Sequence, residues 1–145
     1  MSAGTEKASA VLFEFMSAMK EWENKFAELI KDKSEADHLA LFGQAKSELQ
    51  PIYEKYLTKR DRKYGRLAGL SVGWPPAYDP DTETIVATQS VNDRKVVIET
   101  LWTHPTSVSS YTEKRRFTLI CKHDEWRLDR KETFSYEGKW VKSIL

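Results

Sequence analysis

Residues 94–103 read RKVVIETLWT, and the pattern of this stretch decides the architecture. Val96, Ile98, Thr100 and Trp102 fall on one side of an extended chain, and Lys95, Val97, Glu99 and Leu101 on the other, because successive side chains of a strand point to opposite faces. The same period of two runs upstream through 83–91 and downstream through about 110–122 and 125–135. Val91-Asn92-Asp93 and His123-Asp124 are short enough to be hairpin turns between these segments. Phe117, Leu119 and Cys121 share a side, as do Trp126, Leu128 and Phe134, giving an antiparallel sheet with one apolar face. Carried outward, that phase takes Glu113, Arg115, Arg130 and Glu132 towards the strand ends, where they pair across strands near a rim or line a pocket. YEGKW at 136–140 reads as a turn before a last short apolar piece.

Upstream of the sheet the period changes. Leu12, Phe15, Met19, Trp22, Phe26 and Leu29 recur at steps of three and four, the stripe of an amphipathic helix, with Lys20, Glu21, Glu23, Lys25 and Glu28 off it and expected to face water. Ser34, with Asp37 three residues on, has the form of an N-cap opening a second helix whose inner face is Leu39, Phe42, Ala45 and Leu49. Pro51 costs a helix interior a hydrogen bond but suits a first turn, so Ile52, Tyr53, Tyr56 and Leu57 are expected to form a third, short helix. Segment 66–72 reads as a further strand, and GWPPAYDPD at 73–81 as a loop. Helices first and an antiparallel sheet after them make one α+β domain over 1–145.

With 145 residues, 40% hydrophobic and 12% aromatic, the chain has enough apolar surface for a core. It is too short for an enzyme with separate cofactor and substrate lobes. Its 23 Lys and Arg face 22 Asp and Glu, so a general affinity for nucleic acid is not expected. The N-terminus lacks a basic region followed by an apolar stretch, and no apolar run approaches the roughly 18 residues that span a bilayer. A cytoplasmic address without membrane attachment is the expectation, and the lone Cys121 agrees with a reducing compartment.

Sites were sought by the residue types that chemistry needs. His38, His104 and His123 are scattered and no metal-ligand spacing occurs, so no metal is expected. No glycine-rich phosphate loop occurs either, and no cofactor is expected. Cys121 reads as an inert thiol in the apolar phase of its strand. Acid–base chemistry would need Glu113 or Glu132 in an apolar pocket, with Tyr111 assisting, whereas Arg115 and Arg130 in the same phase make an ion-pair network the simpler reading. Basic runs at 59–63 and 114–116 adjoin Tyr64 and Phe117, as a strand-stacking surface would, but solvated faces explain them equally. The most telling stretch is acidic. Between Leu67 and Asp93 there is no Lys or Arg, while Asp79, Asp81, Glu83 and Asp93 are all carboxylates. Trp74 and Tyr78 share this proline-stiffened loop, and aromatics ringed by charge are what protein interfaces use as anchors. Trp74, Tyr78, Asp79, Asp81 and Glu83 are therefore the candidate partner-binding residues. The alternative is that the aromatics close the edge of the fold while the acids stay solvated.

Phe15-Met16 with Met19 and Trp22-Glu23, Tyr53 to Tyr56 with Thr58, RKYGR at 62–66, PPAYDP at 75–80, EWRLD at 125–129 and Gly138-Lys139-Trp140 occur in this order. Together they resemble the bacterial immunity proteins of the nuclear transport factor 2-like class found beside polymorphic toxins. The resemblance runs from about residue 12 to the end. It implies a cone in which N-terminal helices cover a curved antiparallel sheet, and a role in binding and neutralising the toxin domain of an Rhs-type effector delivered by type VI secretion or contact-dependent inhibition. It carries no catalytic motif and implies no enzyme. Because such cones also host isomerases, dehydratases and ligand-binding modules, a small-molecule enzyme is the alternative function. Besides the toxin, a second copy packed through the sheet is the partner such a chain admits.

Overall fold

Leu12, Phe15, Met16, Met19, Trp22 and Phe26 are buried along one stripe of helix α1 (Ala3–Ile30) in a computed structural model that describes residues 3–31, 33–59, 77–104, 112–143 and 145. The helix ends where its stripe leaves the core: Leu29 is 37% exposed, although its spacing matches the buried residues. Helix α2 (Glu35–Tyr56) opens as its sequence suggests, with Ser34 as N-cap and its hydroxyl accepting from the Asp37 N–H. Its inner face is narrower than expected. Ala45, Leu49 and Tyr53 are buried, Phe42 is half-buried, and Leu39 is 75% exposed.

Pro51 does not start a new helix; α2 runs through it. A proline removes the bond to the carbonyl four residues back, here on exposed Ser47, where water can satisfy it. Contacts on both sides of the proline hold the helix in line. Trp22 Nε1 donates to the Ala45 carbonyl at 2.8 Å, and the Tyr53 hydroxyl donates to the Leu145 carbonyl at 2.6 Å.

Strands β1 (Glu83–Asn92), β2 (Lys95–Thr103), β3 (Thr112–Lys122), β4 (Glu125–Phe134) and β5 (Trp140–Ser143) pair in sequence order, each antiparallel to the next. Val96, Ile98, Thr100 and Trp102 are all buried on the inner face, as their alternation requires. Phe117, Leu119, Trp126 and Leu128 join them, with Cys121 half-buried beside this core. The β3–β4 turn is the tight one that the sequence indicated: His123 and Asp124 have φ of 54° and 62°, as a two-residue hairpin of matching twist requires. The β1–β2 turn lies one residue later than expected, at Asp93 and Arg94, because the Asn92 side chain accepts the Arg94 N–H at 2.8 Å. The expected strand at 66–72 and the first part of the loop, Trp74 included, lie outside the described residues.

One irregularity changes the reading of the rim. On β4, Leu128 pairs with Leu119 but Arg130 pairs with Thr118, so Asp129 is an extra residue on one strand only. Such a bulge reverses the in–out alternation beyond it. Lys131 therefore points inward and is buried, while Arg130 and Phe134 are exposed and Glu132 lies across from Arg116. The sequence phase that grouped Arg130, Glu132 and Phe134 with Arg115 and Leu128 is corrected at this point. The bulge is tied to α2: the Thr58 N–H donates to the Leu128 carbonyl at 2.9 Å and the Thr58 hydroxyl to Asp129 Oδ1 at 2.8 Å.

These burial differences have measurable consequences. Leu119→Ala should lower unfolding free energy by about 2–5 kcal/mol, whereas Leu39→Ala should change it by no more than about 0.5 kcal/mol, both read from urea unfolding midpoints.

Candidate functional site

At the ends of β1 to β3, charged side chains enter the space between α1 and the sheet. Arg115 is at the centre, with its side chain 5% exposed. Its Nη1 donates to Glu83 Oε1 at 2.9 Å and to the Ala77 carbonyl at 2.8 Å, and its Nε donates to Glu113 Oε1 at 2.8 Å. The second Glu83 oxygen accepts from the Thr100 hydroxyl at 2.5 Å. The guanidinium carbon lies over two rings, 5.0 Å from the centre of Trp102 and 5.8 Å from that of Tyr78. Lys131, turned inward by the bulge, brings its ammonium to 4.7 Å from the Tyr78 ring. Antiparallel register explains the meeting: Thr100 pairs with Arg115, and Trp102 pairs with Glu83 on one side and Glu113 on the other.

The loop entering β1 is bolted to this cluster and to α1. The Ala77 N–H donates to Glu23 Oε1 at 2.8 Å, so a buried helix acid holds the backbone whose carbonyl Arg115 holds. Tyr78 is 1% exposed and packs its ring edge-on against Phe15 at 5.1 Å. Lys20 Nζ donates to Asp79 Oδ1 at 2.9 Å and to Asp81 Oδ2 at 3.2 Å. The loop that looked purely acidic in sequence is thus partly neutralised by a helix lysine 59 residues away.

The candidate partner-binding residues separate accordingly. Asp81 is open to solvent, with its side chain 84% exposed, and Asp79 stands beside it at 14%. Tyr78 and Glu83 are buried beneath them as supports of the loop. Of the rim candidates, Glu113 and Arg115 belong to the inner cluster. Glu132 is on the opposite face, where it accepts two bonds from Arg116 at 3.0 and 2.9 Å, and Arg130 is exposed. The expected ion-pair network is present with different partners. Thr100 and Lys131 were not singled out from sequence, and Glu23, expected to face water with Lys20, is buried instead because it accepts the Ala77 N–H. Lys131 could have been found only by anticipating the bulge.

Protonation follows from these surroundings. Burial pushes the Glu83 carboxyl above its ordinary value of 4.5, while Arg115, Thr100 and Lys131 oppose that shift by favouring the charge. The bonds from Arg116 hold Glu132 below the same ordinary value. Contact with Asp79 raises the Lys20 ammonium above its usual range. Both oxygens of Glu83 are occupied, and Arg115 holds Glu113, so the cluster has the chemistry of a structural knot. Two open grooves run along the outward side of α1, one past Phe13, Ser17 and Tyr56 and one past Lys55, Trp126 and Arg127. Neither is lined by Glu83, Glu113, Arg115 or Lys131. His38 meets the Ile30 carbonyl, His104 lies against Trp102, and His123 occupies the β3–β4 turn, three separate places.

Among the described residues, two helices lie over a five-stranded antiparallel sheet, the α+β cone of the nuclear transport factor 2 type. A family model described as NTF2 fold immunity protein matches residues 7–144, and the chain belongs to that family. Immunity protein RhsIA of Dickeya dadantii (strain 3937) is 42% identical over 143 residues, covering 96% of each chain. No solved structure matches the chain significantly. No helix among the described residues is long and apolar enough to cross a membrane.

Two substitutions test the electrostatics. Arg115→Met leaves Glu83 and Glu113 without their shared cation and should cost about 3–5 kcal/mol of stability at pH 7. Glu132→Gln should cost about 1 kcal/mol or less. Glu132 has a depressed folded-state pKa, so its contribution exists above the unfolded value and disappears as pH falls through the folded one. The gap between Glu132→Gln and the parent should therefore close on acidification below pH 4.5. Glu83 acts with the opposite sign: its raised pKa makes its contribution complete below the unfolded value and lost as pH rises through the folded one. Denaturant titrations across pH read both.

Proposed function

We propose that this protein is a stoichiometric inhibitor that binds the cognate toxin domain of an Rhs-type effector in the cytoplasm and turns over no substrate. The observation that carries this reading is the 42% identity to Immunity protein RhsIA over 96% of both chains. The inner cluster supports it, because Glu83 and Glu113 are ion-paired rather than poised as bases in an open pocket. Function then has to reside on a surface, and inhibition follows when that surface covers the toxin's active site or its substrate path.

The contact we assign is the rim carrying Asp79 and Asp81. Glu23, Arg115 and Lys20 hold the loop in place, so little conformational entropy remains to be lost on docking. Asp81 projects a carboxylate beyond that anchored base. From Ala77 to Asp93 the chain offers no Lys or Arg, which suits a toxin with a basic cleft and would speed encounter.

Co-expression with the product of the adjacent gene is the direct test: growth should be rescued and the two proteins should purify together. Continued toxicity with no complex would refute the reading. Asp81→Lys should slow association by roughly tenfold at low salt, with the difference shrinking as salt rises. Its thermal midpoint should stay near the parent's because the side chain is exposed. Unchanged association kinetics in surface plasmon resonance would move the contact away from this loop.

A further inference from the structure

The two edges of the sheet are built differently. At one edge β5 is four residues long and carries Lys142, with Lys139 just before it. Short length and lysine are common protections of a strand edge against pairing with another chain. At the other edge β1 is ten residues long, pairs with β2 alone among the described residues, and has no charged residue and no proline from Thr84 to Asn92. Nine consecutive neutral positions thus lie along this edge, where the other edge carries lysine. Every residue from Val86 to Asn92 is exposed, with Val86 at 51% and Val91 at 48%. TIVATQSV, residues 84–91, is rich in the β-branched side chains that favour strands.

Such an edge offers a row of backbone N–H and C=O groups that an extended peptide satisfies by adding a strand. We infer that the open edge of β1 receives an extended segment of the cognate toxin as a sixth strand. The inference rests on the toxin-binding reading above and specifies how that contact is made. Charge describes the occupant further. The edge begins next to Asp79 and Asp81 and ends at Asp93, with no Lys or Arg between, so the matching segment is uncharged along its middle and basic where it meets Asp81. Self-pairing fits less well. An antiparallel second copy would set its own Asp93 against Asp79 and Asp81, like charge facing like charge at both ends of the edge.

Hydrogen–deuterium exchange on the complex with the toxin domain gives the primary test. The amides of Thr84–Asn92 that face the open edge should exchange at least about tenfold more slowly in the complex than in the free protein. A second test uses adjacent prolines, Thr88→Pro and Gln89→Pro. Along a regular strand, alternate residues direct their N–H to β2 and to the open edge. The variant that keeps the parent's thermal midpoint therefore carries its proline at the open edge. That variant should bind the toxin at least about tenfold more weakly, for loss of one backbone bond and exclusion of the added strand. A tight complex in which β1 gains no protection, or a folded proline variant with parental affinity, overturns the edge inference and leaves the toxin-binding reading standing. Concentration-dependent protection of β1 in the free protein assigns the edge to a second copy and also overturns it. If the parent protein forms no complex at all, the toxin-binding reading fails instead.

Discussion

Burial of the Arg115 guanidinium is the constraint on which this end of the molecule depends. One cation joins Glu83 of β1, Glu113 of β3 and the Ala77 carbonyl of the loop, and lies over the rings of Trp102 and Tyr78. A charge cannot leave water without partners, and a guanidinium fork can hold several acceptors at once where an ammonium would act as a point charge. Glu23 of α1 completes the arrangement by taking the N–H of the peptide unit at Ala77. Helix, loop and sheet edge are thereby fastened through contacts that hydrophobic packing alone would not orient.

This arrangement also decides what the interior can do. Catalysis by an acid in a cone requires a carboxyl with a vacant coordination to substrate and a pKa set for proton transfer. Glu83 has the burial for a raised pKa, yet both its oxygens are bonded within the protein. The inner cluster fixes the start of β1, and Lys20 beside it holds Asp79 and the exposed Asp81 at the rim. The acid-flanked neutral edge continues that rim, from the Ala77–Glu83 loop along β1.

What was legible in the sequence was local. The stripe from Leu12 to Phe26, the Ser34 cap, the alternation of 94–103 and the positive-φ pair His123-Asp124 each depend on residues close in the chain, and each has its expected place. What was not legible depends on partners. Alternation along β4 cannot show that Asp129 is surplus to β3, yet that one residue turns Lys131 inward and Glu132 outward. Leu39 and Leu29 have helical spacing but lie at the margin of the core, 75% and 37% exposed. Pro51 reads as a breaker, yet Tyr53 and Ala45, bonded to Leu145 and Trp22, keep α2 continuous across it. The acidic loop looked unopposed because its cation, Lys20, is distant in sequence and close in space. Tyr78 suited a surface anchor by type and is a core residue because Phe15 and Phe117 enclose its ring.

The central claim is that the molecule acts by occupying a toxin and transforms nothing. Titrating the purified toxin domain with this protein, while following toxin activity and recovering the toxin afterwards, tests it most directly. The account requires activity to fall linearly to zero at one molar equivalent, with fully active, chemically unaltered toxin released on dissociation under denaturing conditions and refolding. Complete inhibition at a small fraction of an equivalent, or recovery of a covalently changed toxin, would contradict it.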